Sequence, residues 1–289
     1  MPSNPGFVNM GLKLGKETLF KYIDNFGFGH KTGVELNGEE NGIIFDINKI
    51  GDLELATTAF GQGVSVTPIQ QITAVSAAIN GGILYQPHIV KSINEPELNN
   101  VILDTEIKKI RQVISPETSK QVRYVLESVV AKGTGHNAYI PNYRVGGKTG
   151  TAQKVNNGAY MTGNYITSFI GFMPADDPKI VVYIAVDNAK GVTQYGGTIA
   201  APIAKNVLLD SINILNIEPR DNEIEKEYVY LDKVYSDIPN VIGMNYDEAK
   251  NSLKNFKVLK IGEGTVKYQS PKAGIKIETG TEVRLFLSS

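Results

Sequence analysis

The segment Ser168–Asp187, SFIGFMPADDPKIVVYIAVD, decides the fold class of this chain. It contains two apolar runs separated by the turn-forming residues 174–178, a pattern that predicts a β-hairpin. The second run, Ile180–Val186, is apolar at every position, so its strand needs cover on both faces of the sheet. Apolar residues at helical spacing over 201–215 predict a helix that supplies one of these covers.

Two helices are predicted upstream of the hairpin from their start signals. The dipeptides Thr67-Pro68 and Ser115-Pro116 each place a side-chain oxygen at the N-cap and proline at the first helical position. Together with the hairpin, these helices predict that residues 1–216 form a layered α+β domain with an antiparallel sheet and flanking helices.

The last fifty or so residues read as a separate module. A charged segment over 217–237 has the composition of a solvated connector. Asn245 and Glu248 match a capping box that opens a short helix. Three strand-like runs follow, KVLKI, TVKYQ and TEVRLFL. The sequence therefore predicts a small domain over 238–289 in which one helix packs on a three-stranded sheet.

The overall composition excludes several classes of function. The chain has 289 residues, of which 29 are basic and 30 acidic, so it offers no net field for nucleic acid. It has no cysteine, which removes disulfides and thiol catalysis. The histidines His30, His88 and His136 are isolated, so we expect no metal site and no cofactor. No apolar run is long enough to span a bilayer, and no signal peptide follows Met1.

The segment Arg144–Lys154, RVGGKTGTAQK, is the strongest candidate site because it places Lys148 among glycines and hydroxyls. One possible ligand is a phosphate. A phosphate-binding loop has the pattern G-x-x-x-x-G-K-[ST] after a buried strand. Here Asn142 occupies the position of the first glycine, and the residues before it do not form an apolar strand.

The other possible ligand is a carboxylate held against an edge strand. Lys148 would supply positive charge, and Thr149 and Thr151 would supply hydroxyl donors. Gly150 would leave room for a substrate to approach the backbone, and the Thr151 N–H would form half of an oxyanion hole. The motif is short, so a solvated turn is the alternative interpretation.

A family resemblance rests on the order of six motifs. They are Ser3-Asn-Pro-Gly-Phe7, Phe26-Gly-Phe-Gly-His-Lys-Thr-Gly33, Phe60-Gly-Gln-Gly-Val-Ser-Val-Thr-Pro-Ile-Gln70, Gly146-Gly-Lys-Thr-Gly-Thr-Ala-Gln153, Ser168-Phe-Ile-Gly-Phe172 and Tyr195-Gly-Gly-Thr-Ile-Ala-Ala-Pro202. In this order they resemble the transpeptidase domain of a class B penicillin-binding protein, which implies a serine β-lactamase-like fold. The module over 238–289 is similar to a PASTA domain, and the combination resembles proteins of Gram-positive, spore-forming bacteria.

The resemblance implies a function and its partners. It implies a peptidoglycan D,D-transpeptidase that cross-links stem peptides ending in D-Ala-D-Ala, during either sporulation or cell division, and that β-lactams inhibit. It also implies that the protein acts at the extracytoplasmic face of the membrane, together with a glycosyltransferase or divisome partner. Lys148, Thr149, Gly150 and Thr151 would bind the substrate, and Asn4 and Lys148 would belong to the catalytic proton relay.

The same resemblance exposes a gap. The family's nucleophile is the serine of a Ser-x-x-Lys motif, and this sequence contains no such motif. Pro2 stands where the serine of the Ser-x-Asn motif belongs, with Asn4 at its last position. We therefore expect that the chain begins inside an active-site motif and is inactive alone.

Three hypotheses follow, in this order. The first is the C-terminal portion of a D,D-transpeptidase. The second is a non-catalytic protein that binds cell-wall muropeptides or serves as a division-site scaffold. The third is a nucleotide-dependent enzyme that binds Mg-ATP. The sequence does not identify the stem peptide or the ligand of the PASTA-like module.

Overall fold

A computed structural model describes residues 4–95, 100–156, 159–190, 194–226 and 235–288. The chain divides into two compact units, Met1–Glu227 and Tyr228–Ser289. The division falls inside the segment 217–237, for which the sequence predicts a connector. The finer domain bounds, 1–216 and 238–289, remain a proposal.

The secondary structure of the described residues follows the chain in this order. The helices are α1 (Asn4–Leu14), α2 (Lys16–Asn25), α3 (Asp52–Ala59), α4 (Pro68–Ile79), α5 (Pro116–Lys132), α6 (Gly196–Leu215) and α7 (Tyr246–Ser252), with a short 3-10 turn at His136–Ala138. The strands are β1 (Ile83–Tyr85), β2 (Ser92–Glu95), β3 (Asn100–Asp104), β4 (Lys109–Gln112), β5 (Gly146–Asn156), β6 (Ala159–Met173), β7 (Ile180–Asp187), β8 (Tyr235–Asp237), β9 (Lys257–Gly262), β10 (Thr265–Ser270), β11 (Lys276–Glu278) and β12 (Glu282–Ser288).

The central sheet of the first unit has the order β5-β6-β7, and both pairings are antiparallel. The predicted hairpin is confirmed as β6 and β7, which pair from Met173 opposite Ile180 to Ile166 opposite Asp187. Strand β6 begins earlier than the sequence indicated, at Ala159, because its first part pairs with β5 alone. The α+β fold class is therefore confirmed.

Helix α6 covers one face of this sheet. It begins at Gly196, so the predicted range of 201–215 was too short at its start and Pro202 lies inside the helix. The small side chains of Ala200 and Ala204 let the helix approach Phe169 of β6 closely, and all three residues are fully buried. This contact fixes the beginning of α6 beside the segment that carries Lys148.

Helix α4 approaches the sheet from the other side, where Phe172 of β6 packs against Ile79 at the end of α4. The predicted start signals of α4 and α5 are confirmed. Thr67 Oγ1 accepts a hydrogen bond from the Gln70 N–H at 3.2 Å, and Ser115 Oγ accepts one from the Thr118 N–H at 3.1 Å.

A buried ion pair joins α5 to the segment that leads into β5. Arg144 donates from Nε to Glu127 Oε1 at 3.0 Å and from Nη2 to Glu127 Oε2 at 2.7 Å. The Glu127 side chain is only 2% exposed. The hydrogen bonds to Glu127 raise the pKa of Arg144, so the guanidinium stays charged. The pair therefore anchors the start of β5, two residues before Gly146.

The first part of the predicted connector differs from a fully solvated segment. Ile217 is buried in the core beside α6, and Arg220 Nε lies 3.3 Å from Asp176 Oδ2. The Asn142 N–H donates to Glu223 Oε1 at 3.0 Å. Arg220 and Glu223 therefore have partners elsewhere in the first unit, which composition alone does not reveal. Residues 227–234 lie outside the described part of the chain.

The second unit matches its prediction of one helix on three strands. Strands β10, β12 and β9 form a sheet in that order, with β12 antiparallel to β10 and parallel to β9. The Asn245–Glu248 capping box is present at the start of α7. An additional antiparallel pair, β8 with β11, was not predicted. Gln269 is the fully buried polar side chain of this core, and it accepts from the Val241 N–H at 2.9 Å and donates to the Pro239 carbonyl at 3.0 Å.

Candidate active site

Lys148 lies on a strand that is paired on one side. Strand β5 pairs with β6, where Lys148 is opposite Ile170 and Gly150 is opposite Ser168. Among the residues that the structure describes, no strand pairs with the other edge of β5. An unpaired strand edge of this kind is where an extended ligand can add as a further strand.

The Lys148 side chain is half-buried and has no acidic partner in the described part of the chain. Its Nζ donates to the backbone carbonyl of Thr149 at 2.7 Å. Burial lowers the pKa of Lys148 from its usual 10.5. An ammonium group has three N–H donors, so two remain for an anionic ligand. A partly desolvated cation with unused donors is suited to binding a carboxylate.

The two threonine hydroxyls lie on the opposite face of the strand from Lys148, because side chains alternate along a β-strand. Thr149 Oγ1 forms a hydrogen bond with Thr134 Oγ1 at 3.1 Å. Thr151 Oγ1 accepts one from the Gly196 N–H at 3.3 Å. Thr151 thus caps the first turn of α6, which has no side-chain cap from Tyr195. The cation and both hydroxyls share one short stretch of edge strand, on different faces.

Gly196 is required by packing between β5, β6 and α6, and Gly150 lies close to a side chain of β6. A Cβ added at Gly150 would lie 2.4 Å from Ser168 Oγ. A Cβ added at Gly196 would lie 2.2 Å from the Ser168 carbonyl oxygen and 2.4 Å from the Gly150 carbonyl oxygen. Gly150 therefore has a close neighbour within the protein, Ser168, in addition to the role that the sequence suggested for it, which is to leave the backbone accessible.

Asn4 lies at the first position of α1 and is exposed. Helix α1 packs on α3, where Gly11 meets Ala59. Both Asn4 and Lys148 are described, and no hydrogen bond or ion pair joins them. A shared proton relay between the two residues stays a prediction.

The phosphate interpretation fails on the structure. Lys148 lies inside β5, and the chain continues as a strand to Asn156. A phosphate-binding loop would instead lead into a helix whose N-terminus faces the ligand. Within the described ranges, no three His, Asp or Glu side chains come together as a metal site would require. The helices of those ranges are also too short or too polar to cross a membrane.

Sequence reasoning missed the loop after α5, which contacts β5 and the first turn of α6. Thr134 contacts Thr149 through its hydroxyl, and Asn137 Nδ2 donates to the Gly197 carbonyl at 2.8 Å. This loop begins at Gly133, the C-cap residue of α5. No local pattern indicates a hydroxyl partner fifteen residues away along the chain.

Comparison with known proteins identifies the family. Residues 2–209 match the penicillin-binding protein transpeptidase domain, and residues 236–289 match the PASTA domain. Stage V sporulation protein D of Bacillus subtilis is 55% identical over 286 residues, which cover 99% of this chain and 44% of that protein. A peptidoglycan D,D-transpeptidase FtsI homolog of Mesostigma viride is 31% identical over 75% of this chain and 39% of its own length.

A solved structure leads to the same family. Penicillin-binding protein 3 of Mycobacterium tuberculosis, complexed with ampicillin, aligns with a TM-score of 0.69 and 29% identity, covering 78% of this chain and 53% of the other. The chain spans less than half the length of the two curated relatives above. Its motifs, its edge strand with Lys148 and these similarities agree, and the chain belongs to the penicillin-binding protein transpeptidase family and carries a PASTA domain.

Proposed function

We propose that this chain contributes the carboxylate-binding strand of a peptidoglycan D,D-transpeptidase. The observation that carries the proposal is Lys148, which is half-buried, has no acidic partner among the described residues and lies on the open edge of β5. Stem peptides that end in D-Ala-D-Ala present a free carboxylate on an extended backbone. Such a ligand matches both the charge of Lys148 and the unpaired strand edge.

The reaction has two steps. A serine hydroxyl attacks the carbonyl carbon of the penultimate D-Ala, an ester forms, and the terminal D-Ala leaves with the proton on its amine. An amine of a neighbouring stem peptide then opens the ester, which restores the serine hydroxyl and completes the cross-link. In this scheme β5 would hold the donor peptide through Lys148, Thr149, Gly150 and Thr151, with the Thr151 N–H facing the developing oxyanion. Asn4 would stand beside the proton relay.

We also propose that the polypeptide alone does not acylate. The sequence contains no Ser-x-x-Lys motif, and covalent catalysis requires that nucleophile. A fluorescent penicillin added to the full chain should leave no label that survives denaturation. A stable covalent adduct would overturn this part of the proposal. The setting proposed for the activity is the extracytoplasmic side of the membrane during spore or cell-wall synthesis, where β-lactams and a glycosyltransferase or divisome partner would meet the enzyme.

The carboxylate-binding role is tested by comparing two peptides that differ at one group. A stem-peptide mimic ending in D-Ala-D-Ala is titrated into the isotope-labelled full chain as the free acid and as the C-terminal amide. Because a hydrogen bond to a charged group contributes about 1.5–3 kcal/mol, the free acid should bind roughly tenfold more tightly or better. Its titration should shift the backbone amide signals of β5.

Matched lysine variants complete the test. Lys148→Ala should abolish the preference for the free acid. Lys154→Ala, on the same strand but with its ammonium already 2.7 Å from Asp187 Oδ1, should retain it. Equal binding of acid and amide by the unmodified chain would contradict the proposal. Binding that maps to residues 238–289 and survives Lys148→Ala would favour the cell-wall scaffold instead.

A further inference from the structure

The hydroxyl of Thr149 has a partner that the site motif does not include. Thr134, in the loop after α5, places its Oγ1 3.1 Å from Thr149 Oγ1. Each hydroxyl has one hydrogen to donate and can accept two. Only one of the pair can therefore donate across this contact, and the other keeps its hydrogen for a different acceptor.

The direction of this hydrogen bond decides what Thr149 can do. If Thr149 donates to Thr134, it has no hydrogen left for a ligand. If Thr134 donates, the Thr149 hydrogen is free to point at an anion on the strand edge. A carboxylate favours the second arrangement, because O–H donation to a charged oxygen is stronger than donation to a neutral one. Two hydroxyls donating in sequence also polarise each other.

From this geometry we infer that Thr134 is a positioning residue for carboxylate recognition: its hydroxyl donates to Thr149 and thereby makes Thr149 a directed donor. The inference rests on the proposed function and adds a residue outside the Lys-Thr-Gly-Thr segment. Thr134 would not touch the substrate. It acts through the hydroxyl of Thr149, which would.

The backbone around Thr134 is held by contacts on both sides, so the hydroxyl projects from a fixed point. A Cβ added at Gly197 would lie 2.3 Å from the Thr134 carbonyl oxygen, which shows how closely α6 approaches the loop. Asn137 Nδ2 bonds the Gly197 carbonyl at 2.8 Å, and the Gly135 N–H bonds the Val129 carbonyl at 3.1 Å. The remaining conformational freedom at Thr134 is the rotation of its side chain.

The experiment measures how much more tightly the full chain binds a D-Ala-D-Ala peptide as the free acid than as the amide. Thr134→Val removes the hydroxyl and keeps the shape. It should lower this ratio by about threefold to tenfold, the usual range for one hydrogen bond. Thr134→Ser keeps the hydroxyl and should stay within about twofold of the unmodified chain. Thr281→Val, an exposed threonine in the second unit, is the matched control and should change nothing.

Repeating the measurement in a chain that already carries Thr149→Val distinguishes a positioning role of Thr134 from a general structural effect. If Thr134 acts through Thr149, Thr134→Val should have no further effect on the ratio in a chain that already carries Thr149→Val. Melting temperatures of the variants show whether any of them has lost its fold. If Thr134→Val has lost its fold, Thr134→Ser still reports on the role of the hydroxyl. An unchanged ratio in Thr134→Val, or an undiminished effect in the Thr149→Val background, would overturn the inference. Equal binding of acid and amide by the unmodified chain would reject the proposed function itself, and this inference with it.

Discussion

The two units differ in the side chains that they bury. The first unit buries charged side chains as well as apolar ones, whereas the second unit buries mainly apolar side chains. In the first unit, Glu127 and Arg144 form a buried ion pair, and Lys148 is half-buried without an acidic partner in the described residues. In the second unit, the core consists of apolar side chains around Gln269, whose amide is satisfied by backbone groups. The proposed carboxylate site would use a cation that is partly withdrawn from water. Among the described residues, Lys148 of the first unit is such a cation.

The largest expected effect comes from breaking the buried ion pair. Glu127→Ala leaves the Arg144 guanidinium without its bidentate partner, which we expect to lower the free energy of unfolding of the first unit by about 3–5 kcal/mol. Chemical denaturation followed by amide signals from each unit measures this. Glu117→Ala, exposed on the same helix, should cost less than about 1 kcal/mol. A loss for Glu127→Ala no larger than that of the control would mean that the pair does not anchor β5.

The second unit should respond most to a loss of apolar volume. Leu285, in the middle of β12, is fully buried, so Leu285→Ala should lower the free energy of unfolding of that unit by about 2–5 kcal/mol. The same denaturation experiment applies. Leu259→Ala on neighbouring β9, where the residue is 42% exposed, is the control and should cost less. If Leu285→Ala destabilised the first unit equally, the two units would not be energetically separate.

A smaller effect is expected where α6 meets β5. Gly196→Ala would place a methyl group against two backbone carbonyls, which cannot move as a side chain can. We expect a loss of about 1–3 kcal/mol in the first unit and a weaker preference for free-acid peptides, since α6 would shift relative to Thr151. Thr198→Ala, exposed in the first turn of the same helix, should change neither quantity. Unaltered stability in Gly196→Ala would show that the contact is loose.

The smallest expected effect on stability concerns Lys148 and depends on pH. Burial lowers its pKa in the folded state below 10.5, so the unfolded chain binds more protons between these two values. Stability should therefore rise with pH across that window in the unmodified chain relative to Lys148→Met. At neutral pH the methionine variant should be as stable or slightly more stable. Lys120→Met, at an exposed position of α5, controls for the change in net charge. A clear loss of stability at neutral pH in Lys148→Met would contradict the interpretation.

The same titration predicts how ligand binding depends on pH. Binding of the free-acid peptide should weaken as the pH rises through the lowered pKa of Lys148, because the neutral amine cannot attract a carboxylate. Arg stays protonated at these pH values, so Lys148→Arg should bind with little pH dependence. An identical pH profile in both proteins would assign the titration to another group.

Parts of this architecture were predictable because their signals are local. The caps at Thr67, Ser115 and Asn245 lie next to the helices they start, and each is confirmed. The hairpin around Pro174–Pro178 was predictable because its two apolar runs and the turn residues between them are adjacent in sequence. The predicted range of α6, 201–215, began too late, because the close fit of Gly196 against β5 and β6 is a long-range contact that apolar spacing does not indicate.

The sequence by itself determined the family and the two modules, since ordered motifs and periodicity require no knowledge of contacts. Only the tertiary structure decided that Lys148 lies on an edge strand, how that strand is held and where its side chains point. It paired Arg144 with Glu127, set Thr134 behind Thr149, and placed the first turn of α6 against Thr151. The physical reason is separation along the chain. Burial, desolvation and hydrogen-bond direction at Lys148 and Thr149 depend on residues brought there by packing, and no local pattern encodes them.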